Sequence, residues 1–293
     1  MPNEKPLALV LGGGGSRGAL QIGALQALHE KGLSPDILVG TSIGAVNAVG
    51  LALFGFSDQG LAQMVRQWKD MENAQILDSR VVQLVIRSLI GRPSHRARER
   101  ARSYLIDLGI TPDLQFKSLH PFKVGLVSAD IETGQPIIFG KDPEERVLDG
   151  VMASITLPPW FTPEKKEGQL IVDGGAVSNL PIEPALQLGA RSIVALDLDM
   201  EQPADGNSAG PISPQKYVEK LTYAVSQRYI QLETKLAEVQ GVSVLRIDFR
   251  EIESPPIWDF RNTSPLIEKG YKKAQRVLSD GEKNPKIKTL ESN

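Results

Sequence analysis

The sequence predicts an α/β fold with a mostly parallel central sheet between layers of helices. Two observations lead to it. The chain opens as strand, helix, strand, helix, the alternation that builds a parallel sheet covered on its faces. Its first strand, Leu7–Leu11, is a short unbroken apolar run, as expected of a strand buried on both sides. The composition agrees. The 293 residues are 41% hydrophobic and 23% charged, an ordinary globular balance that excludes collagen-like, disordered and coiled-coil chains.

Leu7–Leu11 lies between Pro6 and Gly12. Arg17 to Lys31 reads as a helix with Leu20, Ala24, Ala27 and Leu28 on one face and Gly32 as its stop. Ile37–Val39 is a second strand, and the Ala-rich run from Ser42 to Leu53 a buried helix. Residues 57–110 carry no strand signal, are broken once at Gly91-Arg92-Pro93, and read as a helical cap inserted in a single domain spanning 1–293. Strands return at Phe122–Ala129 and Pro136–Phe139, with Glu132-Thr133-Gly134 as the turn between them. A helix is expected at about Glu144–Ser154, strands at Gln169–Val172 and Ser192–Leu198, and a loop at Met200–Pro214. A long helix from Tyr217 to Val239, a strand at Val242–Phe249 and a helix at Leu266–Leu278 follow, with a flexible tail over 281–293.

The formal charge is −2, which does not suggest a nucleic-acid binder. The absence of cysteine removes disulfides, thiolate metal sites and cysteine nucleophiles. His29, His95 and His120 are far apart, and no pair has metal-ligand spacing, so no metal or cofactor is expected. No signal peptide or membrane-spanning run is legible. The expectation is a cytoplasmic protein, with peripheral membrane contact left open.

Two motifs carry chemistry. Gly12 to Gly18 joins the first strand to the first helix, where backbone N–H groups and a helix N-terminus can face an anion. Gly13-x-Gly15-x-x-Gly18 also fits a dinucleotide site, but that reading needs an acidic residue ending the second strand, and here Gly40-Thr41-Ser42 stands there. An oxyanion hole and a plain tight turn remain. The second motif, Gly40-Thr41-Ser42-Ile43-Gly44, is a G-x-S-x-G pentapeptide at a strand-to-helix junction, which projects a serine hydroxyl from a sharp turn. A serine capping the next helix is the plainer alternative.

A serine nucleophile needs a base. His95 sits in the Arg-rich stretch of the cap and His120 just before Pro121 and a strand; either could reach the site, but neither has the Ser, acid, His order of α/β-hydrolases. A carboxylate is therefore expected. Asp173 is the candidate, because it ends the apolar run Leu170-Ile171-Val172 and precedes Gly174-Gly175. An ordinary Asp-Gly turn fits the same residues.

The glycine loop, G-T-S-I-G and D-G-G in this order resemble the patatin-like phospholipase family, from Leu7 to about Asp199. Ala153-Ser154 followed by Pro158, Phe161-x-Pro163 and Asn179-x-Pro181 add to the likeness. The resemblance implies a three-layer patatin-like fold and a lipid or ester substrate. It implies a histidine-free dyad with Ser42 as nucleophile and Asp173 as base. It implies Gly13, Gly14 and Gly15 as oxyanion donors, with Arg17, Gly18, Gly40, Gly44, Gly174 and Gly175 in support.

The cap carries apolar residues at Val81, Val82, Leu84, Val85, Ile86, Leu89 and Ile90, with Arg80, Arg87, Arg92, Arg96, Arg98, Arg100 and Arg102 around or after them. A basic amphipathic helix of this kind can lie on an anionic membrane; packing on the core with a solvated arginine face is the alternative. Transfer of the acyl group to an alcohol would use the same residues as hydrolysis. A catalytically idle interaction protein on the scaffold is the remaining class. Oligomeric state is not legible.

Overall fold

The computed structural model describes residues 2, 4–74, 96–166, 168–199, 213–253 and 255–283. An 8-stranded sheet organises them. β1 (Leu7–Leu11) is central, between β2 (Ile37–Thr41) and β7 (Ser192–Asp197). β3 (Lys123–Asp130) lies outside β2 and β8 (Ser243–Asp248) outside β7, all five parallel. β4 (Gln135–Phe139), β5 (Glu164–Lys166) and β6 (Gln169–Asp173) join antiparallel.

Alternate residues of β1 divide the core. Leu7, Leu9 and Leu11 face one apolar cluster with α1 (Gly18–Glu30), α2 (Ile43–Phe54), α3 (Asp58–Ala74), α4 (Arg96–Asp107), α5 (Val147–Ser154) and α8 (Thr263–Lys283). Ala8 and Val10 face a second with α6 (Ile182–Gln187) and α7 (Pro214–Val239). The fold is thus three-layered, as expected. β1 is continuously apolar because both its faces are covered.

Some boundaries differ. α5 starts at Val147 because residues 142–145 form a turn in which Asp142 accepts from the Glu144 and Glu145 N–H groups. β5 and α6 are too short to leave a periodic signal. α8 runs on to Lys283, into the segment expected as tail. Within 57–110, α3 buries Leu61, Met64, Trp68 and Met71 in the cluster shared with α1 and α2. The expected break at Gly91-Arg92-Pro93, the apolar run Val81–Ile90 and Arg80, Arg87 and Arg92 lie outside the described residues. So do His95, residues 200–212 of the expected loop and residues 284–293 of the tail. Among the described residues no helix is long and apolar enough to cross a membrane.

One feature of the sheet positions the site. β2 pairs with one edge of β3 as far as Thr41 opposite Val127. β4 occupies the other edge over residues 126–130. β6 pairs with Ser128, Ala129 and Asp130, so it must take the edge that β2 vacates. It runs antiparallel and ends at Asp173 opposite Ser128, one rung beyond Thr41. β2 and β6 therefore meet head-on, and Ser42 and Asp173 leave the ends of both.

Candidate active site

Ser42 has φ 56° and ψ −124°, and among the described residues it is the only non-glycine with positive φ. Such a conformation stores strain and persists only when its surroundings enforce it. Its N–H donates to Ser154 Oγ at 2.9 Å, and that hydroxyl, fully buried, donates to the Val127 carbonyl at 2.6 Å. Thr41 Oγ1 donates to the Ser178 carbonyl at 2.9 Å. The flanking glycines are required by contact. A Cβ on Gly40 would stand 2.3 Å from the Gly44 carbonyl oxygen, and one on Gly44 2.0 Å from that of Leu11. The G-x-S-x-G pattern is the sequence trace of a turn folded against its own helix and β1.

Asp173 is 4% exposed. Its N–H donates to the Thr156 carbonyl at 2.8 Å, and its Oδ1 accepts from the Gly175 N–H at 2.8 Å. Its Oδ2 is buried without a hydrogen-bond partner. Burial pushes the carboxyl up to about 6, against the opposing pull of the nearby Ser42 hydroxyl and the Gly175 N–H. Ser42 is thus close enough to act on the carboxylate without closing a hydrogen bond to Oδ2. A Cβ on Gly174 would stand 2.3 Å from the Val127 carbonyl oxygen, so a glycine is needed where the chain leaves β6.

The glycine loop is held by its carbonyls. Asn179 Nδ2 donates to the Gly13 carbonyl at 3.4 Å. Arg17 Nε donates to the Gly14 carbonyl at 3.1 Å and its NH1 to the Leu198 carbonyl at 2.8 Å. In a trans peptide the C=O and the following N–H point opposite ways. These two anchors therefore orient the N–H groups of Gly14 and Gly15, and neither has an acceptor among the described residues. The Gly13 N–H, expected as a third oxyanion donor, is instead committed to the Asn179 carbonyl at 3.0 Å. A Cβ on Gly13 would stand 3.2 Å from Ser42 Cβ, which sets the loop against the serine. Burial lowers the Arg17 pKa, while Asp199 and Asp197 hold its charge.

Polar groups continue behind the loop. Trp68 Nε1 donates to Asn47 Oδ1, Asn47 Nδ2 to Gln21 Oε1, and Gln21 Nε2 to the Gly12 carbonyl, a buried chain running from α3 to the loop. Asp199 accepts from Asn179 Nδ2, Ser226 Oγ and Gln227 Nε2, which ties the loop to the inner face of α7. On the same face Glu233 accepts from Ser178 Oγ and the Glu183 N–H, and burial raises its carboxyl to about 7. In front lies an apolar cluster including Ala97, Ala101, Trp160, Phe161, Ile257 and Trp258. It borders the loop through the Ile257 carbonyl, which accepts from the Ser16 N–H at 2.9 Å.

The structure brings Ser42, Asp173 and the glycine loop together at one edge of the sheet, with Arg17, Gly18, Gly40, Gly44, Gly174 and Gly175 around them. Gly18 admits Ile43 and Trp68, either of which a Cβ would meet at under 3.0 Å. His29 lies in the last turn of α1 and His120 precedes β3, both at the opposite edge. Ser154 and Asn179 stand within sequence motifs that carry no sign of these contacts. Asn47 does leave a signal, as the lone polar side chain of α2, whereas Gln21 shares α1 with Gln26, His29 and Glu30 and leaves none.

Comparison with known proteins gives a consistent outcome. The family described as patatin-like phospholipase matches residues 9–186. Patatin-like phospholipase domain-containing protein 6 of Homo sapiens is 31% identical over 216 residues, 70% of this chain and 14% of that protein. Lysophospholipase NTE1 of Mycosarcoma maydis is 26% identical over 311 residues, 96% of this chain and 15% of that protein. The chain thus spans about a seventh of the length of these relatives. Among solved structures, VipD from Legionella pneumophila superposes with a TM-score of 0.46 at 16% identity, covering 95% of this chain and 68% of that one.

Proposed function

The chain belongs to the patatin-like phospholipase family, and we propose that it is a serine lipid acyl hydrolase cleaving carboxylic esters of fatty acids or phospholipids. The observation that carries this reading is the buried Asp173 carboxylate, one oxygen unpartnered, beside a serine on a strained turn. Asp173 takes the Ser42 proton as the hydroxyl attacks the ester carbonyl. The same carboxyl then protonates the departing alcohol, and water, deprotonated in turn by Asp173, cleaves the acyl-enzyme. A carboxyl near 6 is a stronger base than an ordinary aspartate yet still ionised at neutral pH. Gly14 and Gly15 supply the oxyanion donors, a contribution of about 2.7–4 kcal/mol per donor in measured cases. Gly13 serves by leaving room for Asn179 and Ser42. The apolar cluster around Trp160 and Trp258 receives the acyl chain.

The test is hydrolysis of p-nitrophenyl esters of increasing acyl length, with a fluorophosphonate label in parallel. Ser42→Ala and Asp173→Asn should each lose about 1,000-fold or more in kcat and stay folded. The label should mark wild type and not Ser42→Ala. As the base must be ionised, kcat/KM should fall on acidification with an apparent pKa near 6. An Asp173→Asn enzyme with near-full activity would place the base elsewhere. A folded wild type silent on every ester and unlabelled would sink the reading.

A further inference from the structure

The outer face of α7 is apolar where a surface helix should be polar. Tyr217, Val218, Leu221, Val225, Tyr229, Leu232, Leu236 and Val239 are between 39% and 76% exposed, and of the large hydrophobic residues exposed in the described structure only Ile131 lies elsewhere. From Val218 onward they follow at steps of three or four residues and form one stripe along the helix. The inner face is anchored by buried Ile230 and Ala237 and by the hydrogen bonds of Ser226, Gln227 and Glu233. The stripe is therefore presented on a fixed support. Its exposed area is roughly 700 Å², above the 300–600 Å² of the largest patch on a typical monomer and close to the ~800 Å² per partner of a standard interface.

We propose that this face pairs with the same face of a second copy of the chain, the two α7 helices running antiparallel about a two-fold axis between Arg228 and Tyr229. The stripe has the inverted symmetry that such a contact needs. Reversed about that midpoint, Val218 meets Val239, Leu221 meets Leu236, Val225 meets Leu232, and Arg228 meets the ring of Tyr229. Lys220 of one copy runs alongside the other copy's Glu238, whose carboxylate also pairs with Lys235 of its own helix at 2.9 Å. A lipid surface explains none of this symmetry.

The test uses the full chain. Light scattering after size exclusion should give twice the 31.9 kDa chain mass at micromolar concentration. Leu221→Glu combined with Leu236→Glu should halve it with an unchanged circular-dichroism spectrum, since both side chains are exposed. The chain contains no cysteine, so an introduced one is the sole thiol. Arg228→Cys should form a disulfide-linked dimer on oxidation. Val218→Cys should cross-link when mixed with Val239→Cys and not alone. A monomeric wild type overturns the proposal, as does a dimer insensitive to the two glutamates. Cross-linking of Val218→Cys with itself overturns the antiparallel arrangement. A monomer that binds phosphatidylcholine vesicles through Leu221 and Leu236 overturns it in favour of lipid.

Discussion

Asn179 fills the space that two glycines leave empty. A Cβ on Gly13 would stand 2.5 Å from its Oδ1, and one on Gly175 3.0 Å from it. One side chain thus separates the glycine loop from the turn after Asp173, while its amide holds the Gly13 carbonyl. If that bond aims the Gly14 N–H, Asn179→Ala should lower kcat by about 10- to 100-fold, the scale of a misplacement near 1 Å, and leave KM nearly unchanged. Steady-state kinetics on a p-nitrophenyl ester would decide it, and an unchanged kcat would rule out the positioning role. Residue-scale legibility follows distance along the chain. Gly40 and Gly44 could be read because the turn that requires them is local. Ser154 supports Ser42 from 112 residues away, and no local pattern encodes that bond.

Among the elements, the strands of the parallel sheet were the most legible, since burial on both faces leaves a continuous apolar run. The direction of β6 was not. Asp173 was expected at the C-terminal end of a strand because it closes the apolar run Leu170–Val172, and ligands gather at that edge of open α/β sheets. It does end a strand at that edge, but β6 is antiparallel and arrives from beyond the edge. Pairing direction depends on a distant partner, so a five-residue run cannot reveal it. The α1–α8 contact was equally hidden. A Cβ on Gly23 would stand 1.8 Å from the Ile267 carbonyl oxygen, and one on Gly270 2.0 Å from that of Leu20, so each helix offers a glycine to the other's backbone. Gly270→Ala should destabilise the fold by about 1–3 kcal/mol, overpacking outweighing alanine's better helix propensity. Adding Gly23→Ala should cost less than the sum, because one separation of the helices relieves both clashes. Urea unfolding of the four-member cycle measures this, and strict additivity would contradict a shared seam.

For the whole molecule, Asp173, as the proposed base, would link chemistry to global stability. Its pKa rises from 3.8 to about 6 on folding because burial penalises the charge. Between those values the native state holds a proton that the unfolded chain has released, so stability falls as pH rises through the window. Above it the deficit is constant, about 3 kcal/mol at most. Asn carries no charge to bury. Asp173→Asn should therefore match wild type near pH 4 and exceed it by up to that amount at pH 7.5, while remaining inactive. Paired denaturation curves at the two pH values check this, and a variant less stable than wild type at pH 7.5 would contradict it. The three-layer architecture was readable from the alternation of apolar runs and helices. The outer face of α7 also stood in the sequence, but its exposure depends on what packs against the other side.

The head-on meeting of β2 and β6 also orders events in time. Asp173 is synthesised 131 residues after Ser42. At about 5–20 residues per second, the ribosome delivers the carboxylate roughly ten seconds after the hydroxyl. Through that interval the nascent chain carries the serine without its proposed base, and on that mechanism a product cut short before β6 would be inactive. On the proposed mechanism the growing chain has no ester-cleaving chemistry until Asp173 has emerged and β6 has paired.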